Sequence, residues 1–282
     1  MKKLIFTFTL ILASVAVFSQ GKNDENPKHT NFYKNPEQIK TGDVTVSFDN
    51  IVSKKDFVKL KIKITNNTSD YIIFKPAECV FVYEAGEFKP VSNSLKVWNK
   101  DNLIIKPNDN ASTVIETKGG TNFHKDAFSM KLNGFYKVPA NGEVQTCPNF
   151  QLPASTNNFE PGNFKCIMTG ISKETQQTQV RFSCTYNGED IGIIEPSKPV
   201  IKIEKGQEFA NTYAKAKPAI LAKGEDDKFT LYFEVPASVV DMQFATMWVV
   251  WKNTFMESIP KALTIPNVNF SVDAGMTDAK NK

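Results

Sequence analysis

Beyond Gly42, apolar and polar residues alternate along most of the chain with the two-residue period that sends successive side chains to opposite faces of a strand. Val44, Val46 and Phe48 alternate with Thr45 and Ser47, and Val58, Leu60, Ile62 and Ile64 alternate with Lys59, Lys61 and Lys63. Each run predicts a half-buried strand whose polar side faces water. The Asn66-Asn67-Thr68-Ser69-Asp70 cluster interrupts the alternation as a turn, and a further strand opens over Cys79 to Tyr83. No long stretch shows the 3.6-residue period of an amphipathic helix. The pattern predicts an all-β protein of short antiparallel strands.

The order of strands and turns then repeats. Laying residues 50–54 on 169–173 brings Pro76 onto Pro196, Val80-Phe81-Val82 onto Val200-Ile201-Lys202, and Glu87-Phe88 onto Glu208-Phe209. Farther along, Ile104-Ile105 meets Ile220-Leu221, Phe128 to Phe135 meets Phe244 to Trp251, and Cys147-Pro148-Asn149 meets Ile265-Pro266-Asn267. A repeat of one domain length predicts two tandem copies, residues 41–153 and 158–273. Residues 20–40, polar and lysine-rich with Pro27 and Pro36, predict a flexible leader, and residues 274–282 a disordered tail.

Copies of about 110 residues with a turn every ~8–12 residues fit an immunoglobulin-like β-sandwich, although the Cys-Trp-Cys spacing of antibody domains is absent. With Ile64-Thr65-Asn66-Asn67 closing one strand and Tyr232-Phe233-Glu234-Val235-Pro236 late in the second copy, the chain resembles the immunoglobulin-like domains of unknown function in bacterial secreted and cell-envelope proteins. The resemblance implies the fold and a compartment outside the cytoplasm. It transfers no functional residue.

The first residues agree with export. Lys2 and Lys3 precede an apolar run from Leu4 to Phe18, and the small residues Val17 and Ser19 stand at the −3 and −1 positions of a cleavage site, so residues 1–19 predict a cleaved signal peptide. Gln20, not cysteine, follows the cleavage point, which excludes lipoprotein anchoring by that route. Loss of Lys2 and Lys3 takes the net charge from +4 to +2. That balance, with Arg181 as the only arginine, argues against nucleic-acid binding. No later stretch is long and apolar enough to span a membrane. The expected location is periplasmic or extracellular.

Export also makes disulfides plausible for the four cysteines. Cys166 and Cys184 lie equidistant from Thr175, the centre of a polar turn, so they face each other across a predicted hairpin. Cys79 with Cys147 forms the other candidate pair, and the alternative for all four is a buried thiol.

Catalytic parts are missing. The only histidines are His29, in the leader, and His124, in a loop, too few for a histidine zinc cluster, and the cysteines lack CxxC spacing. Glu189-Asp190 and Glu225-Asp226-Asp227 read as solvated turns rather than calcium or glycosidase carboxylates. No catalytic residue, metal or cofactor is therefore expected.

The two copies differ at one strand. Phe128, Met130 and Leu132 alternate with polar Ser129, Lys131 and Asn133, whereas Trp248 and Val250 alternate with Ala245, Met247, Val249 and Trp251. A sandwich strand needs one buried face, so Ala245, Met247, Val249 and Trp251 become the candidate interface, covered by another envelope protein, the neighbouring domain or a loop. Trp98, in a polar loop, is the candidate glycan contact. The expected function is a non-enzymatic binding or scaffolding protein of the envelope. The alternatives are a carbohydrate-binding or glycan-processing protein and a structural subunit of an envelope assembly.

Overall fold

In the computed structural model, residues 28–91 and 102–282 are described; the expected signal peptide and Trp98 lie outside them. The alternation translates directly into burial. Val58, Leu60, Ile62 and Ile64 on the strand Phe57–Asn66 are fully buried, and Lys59, Lys61 and Lys63 between them are exposed. This strand pairs with Val44–Ser53 on one side and Asn110–Lys118 on the other. Asn31–Phe32 and Ile39–Lys40 pair along the far edge of Val44–Ser53. We call this the hairpin sheet of the first half. In the second half, Phe164–Lys173, Gln177–Tyr186 and Asp226–Glu234 form its counterpart, edged by Asn158–Phe159.

Two further four-stranded antiparallel sheets complete each half. In the first half the facing sheet orders Val268–Ser271, Ala127–Lys131, Val80–Tyr83 and Gly86–Phe88, and the junction sheet orders Lys261–Ala262, Phe135–Val138, Tyr71–Phe74 and Leu103–Ile105. In the second half the facing sheet orders Phe150–Leu152, Met247–Val250, Val200–Ile203 and Glu208–Ala210. Its junction sheet orders Glu143–Val144, Phe255–Ser258, Ile191–Ile194 and Ala219–Leu221.

Each half closes around its own apolar core, into which the hairpin sheet points from one side and the facing and junction sheets from the other. Phe48, Leu60, Phe74, Phe81, Phe128 and Phe270 belong to the first core, and Phe150, Phe182, Met247, Val249, Trp251 and Phe255 to the second.

The closing strand of each sequence copy serves the other half. Phe150–Leu152, at the end of the first copy, pairs with Met247–Val249, and Val268–Ser271, at the end of the second, pairs with Ala127–Met130. Phe150 and Leu152 are buried in the second core, Val268 and Phe270 in the first. The two short strands Glu143–Val144 and Lys261–Ala262 are exchanged in the same way. The boundaries 41–153 and 158–273 are thus corrected: residues 143–152 build the second half, and residues 261–272 the first. Sequence repetition places these strands correctly within a half but cannot say within which half.

The halves meet through their junction sheets. Tyr71-Ile72-Ile73-Phe74 and Ile191-Gly192-Ile193-Ile194 are buried at every position. Ile72, Phe74 and Ile194 fill the two cores, while Tyr71, Ile73 and Val138 pack against Ile191, Ile193 and Met256 between the halves. Two-sided burial requires such unbroken apolar runs. The cavity beside this contact, lined by Ile73, Ile104, Ile191 and Ile220, measures only about 30 Å³, enough for a water molecule or two.

Residues 28–40 and 274–282 close on the first half. Residues 28–40, expected as part of a flexible leader, contribute the buried side chains of His29, Asn31 and Tyr33. Residues 274–282, expected as a disordered tail, contain the helix Ala274–Lys280, capped by the Asp273 side chain, which accepts from Met276 N at 3.0 Å. Thr30 N donates to Asn281 Oδ1 at 2.9 Å, Asn281 Nδ2 donates back to Thr30 O at 2.8 Å, and Phe32 N donates to Thr277 Oγ1 at 3.0 Å. Polar composition masked this order because hydrogen bonds, more than apolar burial, hold it. Among the described residues no helix is long and apolar enough to cross a membrane.

Candidate functional site

The strand Met247–Val250 separates an inner from an outer face, and the structure reverses their expected roles. Met247 lies opposite Ile203 and Leu152, Val249 opposite Ile201 and Phe150, and both are fully buried. Trp251 stacks on Phe159 with ring centroids 4.9 Å apart and meets Phe182 edge-on at 5.2 Å. Ala245 packs against the same core, and its carbonyl accepts from Lys173 Nζ at 2.7 Å. Ala245, Met247, Val249 and Trp251 therefore form the inside of the second half, not an interface.

The outer face carries Trp248, between Lys202 and Gln151, and Val250, opposite Val200; both are half-exposed. The strand register shows what stands at the corresponding places in the first half. Phe81 pairs with Met130 as Ile201 pairs with Val249, so Ser129 corresponds to Trp248 and Lys131 to Val250. Lys131 makes an ion pair with Glu87 at 2.6 Å. At these two places a serine and an ion-paired lysine in one half are thus replaced by an aromatic and a branched aliphatic side chain in the other. Phe244, in the turn before this strand, is 78% exposed.

Cys166 and Cys184 are register partners across the hairpin with Cα atoms 4.0 Å apart, and they form a disulfide within the second core. Cys79 and Cys147 are free thiols, which corrects the second expected bridge. Cys79 is buried in the first core with its Sγ 3.4 Å from Asn133 O, whereas Cys147 packs against the second core because residues 143–152 have crossed over. Burial pushes both thiols up to about 12, with Glu78 adding to the shift at Cys79, so neither is an activated nucleophile. Reduction of Cys166–Cys184 frees an 18-residue separation and should cost about 3 kcal/mol on the chain-entropy estimate. Denaturant unfolding of the Cys166→Ala/Cys184→Ala variant, with intact mass showing two free thiols in the parent under denaturation, checks both the bond and its weight.

The only two histidines, separated by 95 residues, meet: His29 Nδ1 lies 2.7 Å from His124 Nε2, with the rings edge-on. Burial first, and the charge of His124 second, hold His29 below its ordinary value of 6.5, while Asp278 pulls weakly the other way. The folded state therefore resists protonation where the unfolded chain accepts it. Stability is fully present above the ordinary histidine value and falls as pH drops through it. Between about pH 7.5 and about pH 5.5 the denaturant midpoint should fall, and His29→Asn should flatten that fall. A variant with an unchanged slope would assign the pH dependence to other groups.

The acidic clusters are engaged locally. Glu189 pairs with Lys223, Glu225 accepts from Ala222 N, and Asp226 and Asp227 open the strand Asp226–Glu234 instead of lying in a turn. Among the described residues no three His, Cys, Asp or Glu side chains are grouped to hold a metal ion.

No family model and no curated protein matches the chain. Among solved structures it is similar, at 10% identity and a TM-score of 0.28, to the yjhA protein from Bacillus subtilis, over 36% of this chain and 82% of that one. A conserved domain protein from Bacillus anthracis aligns over 85% of this chain and 91% of its own, at 8% identity and a TM-score of 0.20. The secreted serine protease VesC from Vibrio cholerae aligns over 70% and 47%, at 10% identity and a TM-score of 0.17. Alignments this loose carry nothing about function.

Proposed function

We propose that the chain is an exported, non-enzymatic binding protein of the bacterial cell envelope, built of two immunoglobulin-like sandwiches that exchange their closing strands. In this reading it holds a protein partner on the outer face around Trp248. The observation that carries the reading is the contrast within one fold: Trp248 and Val250 are half-exposed at the places where the first half carries Ser129 and the paired Lys131. Tryptophan is enriched at the centres of interfaces. The signal-like first residues and the Cys166–Cys184 disulfide support an oxidising compartment outside the cytoplasm.

The test transplants the first half's surface onto the second. Trp248→Ser with Val250→Lys should leave the unfolding midpoint nearly unchanged and abolish co-purification of a partner from the native envelope fraction. If the same partner is retained at parent levels, the face is not the contact.

A further inference from the structure

We propose that the second half contains a binding pocket for a small anionic saccharide, a sugar ring or pair of rings bearing carboxylate, sulfate or phosphate, between the 211–218 segment and the edge strand Asp226–Glu234. The proposal goes beyond the Trp248 face and does not depend on it. The pocket is a cavity of about 340 Å³, at the lower end of the ~300–1,000 Å³ usual for small-molecule sites. Lys215, Lys217 and Lys228 line it together with Tyr213 and Thr230.

The wall is fixed in place. Asn211, at its start, accepts through Oδ1 from Tyr232 N at 2.8 Å and from Tyr213 N at 3.1 Å, and its Nδ2 donates to Pro196 O at 2.6 Å. Thr212 N donates to Tyr232 O at 2.8 Å, and Ala216 N to Tyr213 O at 3.0 Å. One asparagine thus ties the segment to the edge strand on one side and to Pro196 on the other. A segment held this way has its backbone placed before binding, so that only the lysine side chains remain to be ordered.

Charge and shape together select the ligand class. Three lysines and one acidic residue, Asp227, are among the lining residues, a balance of two positive charges. Lys228 and Thr230 alternate with the inward Phe229 on the edge strand, and Arg181, the chain's only arginine, is the register partner of Thr230. Among the described residues none of the three lysines is in an ion pair, in contrast to Lys131, Lys137, Lys223 and Lys252. Pro196, Pro218, Ala216 and Ala219 in the lining, beside the ring of Tyr213, supply the apolar surface on which the C–H face of a sugar ring packs. A bare inorganic oxyanion would leave that surface unused, and a neutral sugar would leave the ammonium groups unused.

Calorimetric titration of the full-length mature chain with a sulfated heparin-derived disaccharide and with digalacturonic acid should show saturable binding. Affinity should weaken at least about tenfold between about 50 and about 300 mM salt. Lys215→Gln/Lys217→Gln/Lys228→Gln should abolish it, whereas Lys59→Gln/Lys61→Gln/Lys63→Gln, which removes three exposed lysines from the first half's hairpin sheet, should not. Circular dichroism of both variants, altered only at exposed side chains, checks that they are folded. Equal losses from the two lysine sets would show attraction to charge in general and overturn the pocket. Binding of cellobiose as tight as that of the anionic disaccharides, inorganic phosphate binding as tightly as either, or no binding at millimolar ligand would each overturn the saccharide assignment.

Discussion

Removing residues 261–282 unfolds the first half and leaves the second intact. The deletion takes Val268 and Phe270 out of the first core, strips the edge from Ala127–Lys131 and deletes the helix that holds Thr30 and Phe32. Burial of Ile265, Val268 and Phe270 contributes roughly 1.5–3 kcal/mol each, a total comparable with the ~5–15 kcal/mol net stability of a whole domain. The converse fragment, residues 143–258, contains every strand of the second half's three sheets and every buried residue of its core. It should unfold cooperatively, whereas the fragment cut at the repeat boundaries, 158–273, lacks Phe150 and Leu152 and should not fold. Thermal unfolding and protease resistance of the three pieces decide the matter. Equal stability of 143–258 and 158–273 would mean that the exchanged strands contribute little.

Met247→Asn should destabilise the second half by about 3–5 kcal/mol, the sum of a lost core side chain and a buried amide without partners. Met247 is fully buried between Ile203 and Leu152, and nothing polar faces it in the register. Its neighbour Trp248, half-exposed on the opposite face, should tolerate serine with little change in the unfolding midpoint. The pair of measurements separates core from surface one residue apart. A mild Met247→Asn together with a severe Trp248→Ser would reverse the assignment of the two faces.

That assignment was the point at which sequence reasoning slipped. Matching Phe128 with Phe244 assumes an offset of 116 residues, but the strand pairing places Phe128 opposite Phe270 as Met247 lies opposite Leu152, an offset of 119. A shift by an odd number exchanges the two faces of a strand. The long turn before Met247 absorbs the extra residues, and alternation on both faces offered no internal check.

The long hairpins were legible because lysines at Lys59, Lys61 and Lys63 mark one wet face unambiguously. The Cys166–Cys184 bridge was legible because hairpin partners are equidistant from the turn. Tyr71–Phe74 and Ile191–Ile194 carried a readable signal as well: four consecutive buried residues without alternation are what a sheet covered on both sides requires. The meeting of His29 with His124, and the pinning of Asn211 to Pro196 and Tyr232, rest on contacts between residues far apart in the chain. Local pattern has no access to such pairings.

The mutual grip of Thr30 and Asn281 sets how the molecule bears load. A pull applied between residues 28 and 282 acts first on the few hydrogen bonds joining Thr30, Phe32, Thr277 and Asn281, and next on the pairing of Val268–Ser271 with Ala127–Met130. The second half, strung between residues 143 and 258, stays outside the line of force until those contacts have parted. Load applied between those residues is therefore released stepwise, with the half that carries the disulfide the last to feel tension.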